Sequence, residues 1–108
     1  MIRHCALFRF QPDVKDEEID QLLAGFIELK DKIGGIIDVI VGSNVSAEGL
    51  SKGFDHGIIL DFPDAAAVEA YLGHPAHLAL AAKLIPKLEG DLEGALPFDL
   101  EFSGPGGM

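Results

Sequence analysis

The stretch Ile2-Arg3-His4-Cys5-Ala6-Leu7-Phe8-Arg9-Phe10 alternates with a period of two. Ile2, His4, Ala6, Phe8 and Phe10 fall on one face and Arg3, Cys5, Leu7 and Arg9 on the other. Successive side chains of a strand point to opposite faces, so the pattern predicts a strand with His4 on its more apolar side. Gln11-Pro12-Asp13 breaks it, and Asp16, Glu17 and Glu18 then place negative charge where a helix N-terminus favours it. From Ile19, the apolar residues Leu22, Leu23, Phe26, Ile27 and Ile33 recur at helical spacing, the stripe of an amphipathic helix that Gly34-Gly35 stops.

Further along, Ile36 to Val41 is a short β-branched run, expected to be a strand buried on both faces. Gly42 to Asp55 is polar and punctuated by glycine, longer than a hairpin needs, which points to a functional or partner-contacting loop. His56 to Phe62 alternates again, with His56, Ile58, Leu60 and Phe62 together on one face. Pro63-Asp64 ends that strand and opens a short helix through Leu72. His74-Pro75 opens another, with proline at the favoured first position, and Pro86 ends it. After an acidic turn at Gly90 to Gly94, Leu96 to Phe102 is a last strand.

The order β-α-β-β-α-β predicts an α+β fold, a ferredoxin-like four-stranded antiparallel sheet with helices on one face. One domain over residues 1–103 and a flexible glycine-rich tail at 104–108 account for the chain. The other sheet face is left bare, and a second copy is its simplest cover, so a homodimer is expected.

The 108 residues carry a formal charge of −10. Nucleic acid and anionic membrane are therefore poor partners. The single Cys5 permits no intrachain disulfide, and no secretory signal or membrane-length apolar run is present, so a cytoplasmic location is the default. Buried in a strand, Cys5 reads as a small apolar residue rather than a reactive thiol.

Chemistry rests on four histidines, His4, His56, His74 and His77, with Tyr71 and Asp99. His74, just before Pro75, is placed as a helix cap. If the first, third and fourth strands are neighbours, His4, His56 and Asp99 converge near His77 around one hollow. Imidazoles, a phenol and a carboxylate over apolar walls suit acid–base work near neutral pH. The bland alternative is that the same groups only complete hydrogen bonds inside the fold. A His/Asp metal site is a weaker possibility, since the His74/His77 spacing of three is uninformative and no cysteine pair supports it. No phosphate-binding glycine pattern and no nucleophile elbow is present, and no cofactor is expected.

Four segments, quoted in order, carry a family resemblance: Ile2 to Phe10; Gly42-Ser43-Asn44-Val45-Ser46-Ala47-Glu48-Gly49-Leu50 with Gly53-Phe54-Asp55-His56-Gly57; Tyr71-Leu72-Gly73-His74-Pro75-Ala76-His77; and Phe98-Asp99-Leu100. Together they resemble the stress-responsive α/β barrel (Dabb) family of dimeric ferredoxin-like proteins. The resemblance implies a two-fold dimer whose sheets pack face to face as a barrel, in a family with many stress-associated or uncharacterised members; the chain is read as a homodimer holding a small apolar molecule in a pocket between sheet and helices. In a branch similar to olivetolic acid cyclase, it implies an aldol cyclisation without metal or cofactor. There His77 is the base, Tyr71 its helper, and His4, His56 and Asp99 the support, with Asp99 orienting His77.

Overall fold

The inner face of the sheet is set by one strand held between two others. In the computed structural model, which describes residues 1–103, β1 (Ile2–Phe8) pairs antiparallel with both β3 (His56–Phe62) and β4 (Ala95–Glu101). The other elements are α1 (Asp16–Lys32), β2 (Asp38–Ser43), α2 (Ala65–Leu72) and α3 (Pro75–Leu84), with short 3-10 turns at Ile85–Lys87 and Asp91–Gly94. The sheet order is β2-β3-β1-β4, all neighbours antiparallel. This is the expected α+β ferredoxin-like arrangement. The tail at 104–108, read above as flexible, lies outside the described residues.

Each element follows from local chemistry. The acidic first turn and the Lys30 and Lys32 last turn of α1 complement its dipole, and Ile19, Leu23, Phe26 and Leu29 form its buried stripe. Its exit needs a left-handed residue, supplied by Gly35 at φ +92°. The Asp64 side chain caps α2 by accepting from the Ala67 N–H at 2.9 Å. At α3, Pro75 occupies the first turn, where its missing N–H costs nothing.

Ala6, Phe8, Ile58, Leu60 and Phe62 project from the inner face and pack with the α1 stripe, Val68 and Tyr71 of α2, and Leu84 of α3 into one core. The opposite face keeps its apolar side chains in the open. Leu7, Ile40, Leu96, Phe98 and Leu100 are 41–61% exposed, and the register places them with Cys5 and Ile59 on one surface. Residues 44–55 stand at its rim, where Arg9 lies over the Phe54 ring at 4.9 Å. Together they enclose a concavity of about 690 Å³ lined by Cys5, Leu7, Ile40, Leu50, Phe54 and Leu96, among others.

Two expectations are corrected. The second strand is not buried on both faces: it begins at Asp38, lies at the sheet edge, and leaves Ile40 52% exposed. A β-branched run has the same signature at an edge as in a centre, because propensity does not report neighbours. The first strand ends at Phe8 rather than Phe10. The Arg9 N–H turns away to the Gly94 carbonyl, and Phe10 forms an isolated bridge with Leu88.

Candidate functional site

Strand pairing places His4 directly between Leu60 of β3 and Asp99 of β4. Residues opposite one another in antiparallel strands share a face, so the Asp99 carboxylate is brought to the imidazole by the backbone ladder. The His4 Nδ1–H donates to Asp99 Oδ1 at 2.5 Å, with His4 only 7% exposed and Asp99 open to solvent. This bond assigns the proton-bearing nitrogen whatever the charge of the ring, and leaves Nε2 as the atom at its other end.

Tyr71 is the centre of the group. It sits in the last turn of α2, fully buried, with its ring centroid 5.8 Å from His4, 5.2 Å from Phe62 and 4.4 Å from His77. Its hydroxyl has no hydrogen-bond partner among the described residues. Burial raises the phenol pKa far above its ordinary value, so the group stays protonated and serves as a donor, not as a base. A buried donor without an acceptor costs about 1–3 kcal/mol.

His77 lies in the first turn of α3. Its Nδ1 is 3.1 Å from the Leu72 carbonyl oxygen, an acceptor only, so the neutral ring donates from Nδ1–H and keeps its lone pair on Nε2. Burial lowers the pKa below the ordinary 6.5; the Leu72 hydrogen bond opposes this, and the nearby His4 adds to the lowering. At pH 7 His77 is therefore neutral, with Nε2 as the ring's basic atom.

The structure thus gathers His4, Asp99, Tyr71 and His77, and it leaves His56 apart. His56 pairs with Phe8 and Ser43 at the far end of β3, four residues from Leu60 and so about 13 Å along the strand. Its ring stands edge-on to Phe10 at 5.5 Å and lines a separate cavity of about 520 Å³ with Asp16 and Asp20. A shared face in an alternating strand does not make two side chains neighbours when four residues separate them. Asp99 is also placed differently from expectation: it engages His4, while the group on His77 is a backbone carbonyl. That carbonyl has no sequence signature, because every residue carries one. Phe62, which walls Tyr71, was legible only as a member of the inner face.

His74 caps α3, accepting from the Ala76 N–H at 3.0 Å. The cavities of about 690, 670 and 520 Å³ are not lined by Tyr71, His4 or His77; the second runs between α1 and α3 past Ala76 and Leu80, the first of these next to His77 in the chain. Among the described residues, no three His, Cys, Asp or Glu side chains are grouped to hold a metal ion, and no helix is long and apolar enough to cross a membrane.

Comparison with known proteins agrees with this architecture. The family described as Stress responsive A/B Barrel Domain (Dabb) matches residues 2–94. A stress-response A/B barrel domain-containing protein, HS1, of Arabidopsis thaliana is 31% identical over 88 residues, 82% of this chain and 81% of the relative. Olivetolic acid cyclase of Cannabis sativa is 21% identical over 77 residues, 71% of this chain and 76% of the enzyme. Among solved structures, a dimeric ferredoxin-like protein of unknown function from Jannaschia sp. CCS1 superposes with a TM-score of 0.84 at 25% identity, covering 93% of this chain and 97% of its own.

The His77 shift has a consequence for stability. The fold favours the neutral ring, so between the depressed folded value and 6.5 the unfolded chain binds more protons than the folded one. The contribution of His77 is complete above 6.5, falls as the pH drops through the folded value, and is flat below it. Urea unfolding across this window should show stability rising with pH, with a smaller rise in His77→Gln, which cannot titrate. Equal slopes in the two proteins would contradict the assignment.

Proposed function

The chain belongs to the stress-responsive A/B barrel (Dabb) family, and within it we propose a homodimer that holds a small, largely apolar molecule against Tyr71. The carrying observation is the fully buried Tyr71 hydroxyl with no acceptor among the described residues. An acceptor oxygen on a bound molecule, such as a carbonyl, removes the cost of that unpaired donor. The rings of Phe62, His4 and His77 pack around Tyr71, so a molecule held there would meet apolar walls with a few convergent polar groups.

The dimer is supported by the open sheet face. Five large apolar side chains there are 41–61% exposed, a concentration that marks an interaction surface. Several similar solved structures, that from Jannaschia included, are described as dimeric.

A second reading, a cofactor-free cyclase or lyase, is favoured by the state of His77. A neutral imidazole with Nδ1–H spent on the Leu72 carbonyl presents Nε2 as a base near neutral pH. Beside it, the Tyr71 O–H is a donor suited to a developing oxyanion. In this reading His77 Nε2 removes a proton α to a carbonyl, the electron pair moves to the carbonyl oxygen, and Tyr71 stabilises the enolate. The carbon nucleophile then attacks a second carbonyl of the same molecule. His4 packs against Tyr71 and is held by Asp99. The similarity to olivetolic acid cyclase over 71% of the chain is in keeping with such chemistry.

Three measurements test these readings. With acetophenone as the probe, Tyr71→Phe should raise the unfolding free energy of the unliganded protein by about 1 kcal/mol and weaken binding roughly tenfold; lost stability with unchanged binding would remove the ligand reading. Exchange of the acetophenone methyl protons in D₂O, followed by NMR, should be accelerated by the protein and increase with pH through a midpoint below 6.5. Loss of that acceleration in His77→Ala supports the enzyme reading, and its absence in the parent protein opposes it. Phe98→Asp should convert a dimer to a monomer in sedimentation experiments, and a monomeric parent protein would exclude the dimer.

A further inference from the structure

The open face of the sheet is high along one edge and low at the opposite corner. Antiparallel register sets its outward positions in rows across the four strands, and one row runs Gly42, Gly57, Leu7 and Leu96. Two of these four positions have no side chain, and both glycines line the concavity of about 690 Å³. Along β4, by contrast, Leu96, Phe98 and Leu100 form an apolar ridge. Phe98, at 61%, is the most exposed large apolar side chain of the sheet.

The two glycines have different causes. A Cβ on Gly57 would stand 2.9 Å from Leu7 Cδ2 and 3.2 Å from the Ala6 carbonyl oxygen, so its own chain leaves no room for a side chain. Gly42 has no such reason. Its φ is outside the left-handed region that favours glycine. Chain neighbours apart, no described atom lies within 4 Å of the place its Cβ would take. Glycine weakens a strand and gives it nothing to pack, and where it persists it marks a close approach by another group. Within the described chain no group approaches Gly42.

We infer that the open space at Gly42 is a socket for Phe98 of a second copy of this chain, so that the β4 ridge of each protomer seats in the low corner of the other. The inference rests on the homodimer proposed above and adds the contact that sets how the two faces meet. Two features select a second copy as the occupant. Ridge and socket lie on one face, at opposite edges of the order β2-β3-β1-β4, three strand spacings or about 14 Å apart. A two-fold axis along the strands, between β3 and β1, lays β4 of each protomer over β2 of the other and makes the contact twice. An axis across the strands sets ridge against ridge. Charge is the second feature. In a chain of formal charge −10, the charged outward positions of this face are Arg3, Asp61 and Asp38, all at the end away from Gly42. Arg3 pairs with Asp61, and Asp38 lies 3.9 Å from Lys30. The socket and ridge are thus free of the like charge that opposes association, and an aromatic side chain filling a pocket is a common anchor of an interface core.

Sedimentation equilibrium of the full chain tests this in a cycle of parent, Gly42→Val, Phe98→Ala and the double variant. Valine suits a strand, and Gly42→Val should keep the circular dichroism of the parent. It should raise the dimer dissociation constant about tenfold. In the Phe98→Ala background the same substitution should raise it less than about threefold, because the side chain it displaces is gone. If Phe98→Ala leaves no measurable dimer, Phe98→Leu takes its place; if Gly42→Val does not fold, Gly42→Ala does, with a smaller loss and the same coupling. Equal fold-changes in the two backgrounds overturn the inference, as does a Gly42→Val dimer as tight as the parent. Lost acetophenone binding with an unchanged dimer would give the concavity to a small molecule and overturn it too. Failure of the dimer reading is seen separately: a monomeric parent removes both, whereas a dimeric parent with Gly42 and Phe98 uncoupled removes the socket alone.

Discussion

The site depends on the register of β1 between β3 and β4. A shift of one residue would turn His4 to the open face and bring Cys5 inward, because side chains alternate strictly. With the register as it stands, His4 faces Leu60 on one side and Asp99 on the other, and the carboxylate needs no helix or loop to hold it. The strand also carries Ala6 and Phe8 into the core, so the apolar packing that fixes the register and the polar pair that uses it are on the same face. A sheet stabilised by burial thus positions a buried imidazole at no further conformational cost.

The helical side contributes through an interruption. Had α2 and α3 been one continuous helix, Tyr71 and His77 would lie six residues apart, away from the three- and four-residue spacings that bring helical side chains together. Across the Gly73-His74-Pro75 break the two rings are brought together instead, tilted at 45° with centroids 4.4 Å apart. The same break leaves the Leu72 carbonyl without a helical donor, and it becomes the acceptor that determines which nitrogen of His77 carries hydrogen. Terminal groups that a helix must satisfy somehow are here satisfied in part by the His77 side chain.

Charge and polarity are divided over the surface. The chain carries a formal charge of −10, yet the outer sheet face has few charges. Arg3 and Asp61 neutralise each other there through two hydrogen bonds of 2.8 and 3.0 Å, and Asp38 lies 3.9 Å from Lys30. Such a face carries little net charge, so like-charge repulsion is small there. The loop at 44–55 extends this apolar surface through Leu50 and Phe54.

Alternation and helical periodicity in the amino-acid sequence determined the elements, their order and the fold class, because a one-sided core demands those periods whatever the neighbours. His56 to Phe62 and the helix opened by Pro75 were legible almost to the residue, bounded by proline and by capping side chains. His4, Tyr71, His77 and Asp99 were recognisable as candidates by residue type and by resemblance. Tertiary structure alone decided which of them meet. His56 shares a face with Leu60 but stands at the other end of the strand, and Asp99 serves His4 rather than His77. Burial of β2 was likewise a matter of position, since an edge strand and a central one are written with the same residues. The tautomer of His77 was beyond any pattern of side chains, because it is set by a main-chain oxygen that is available only where the backbone leaves its helix.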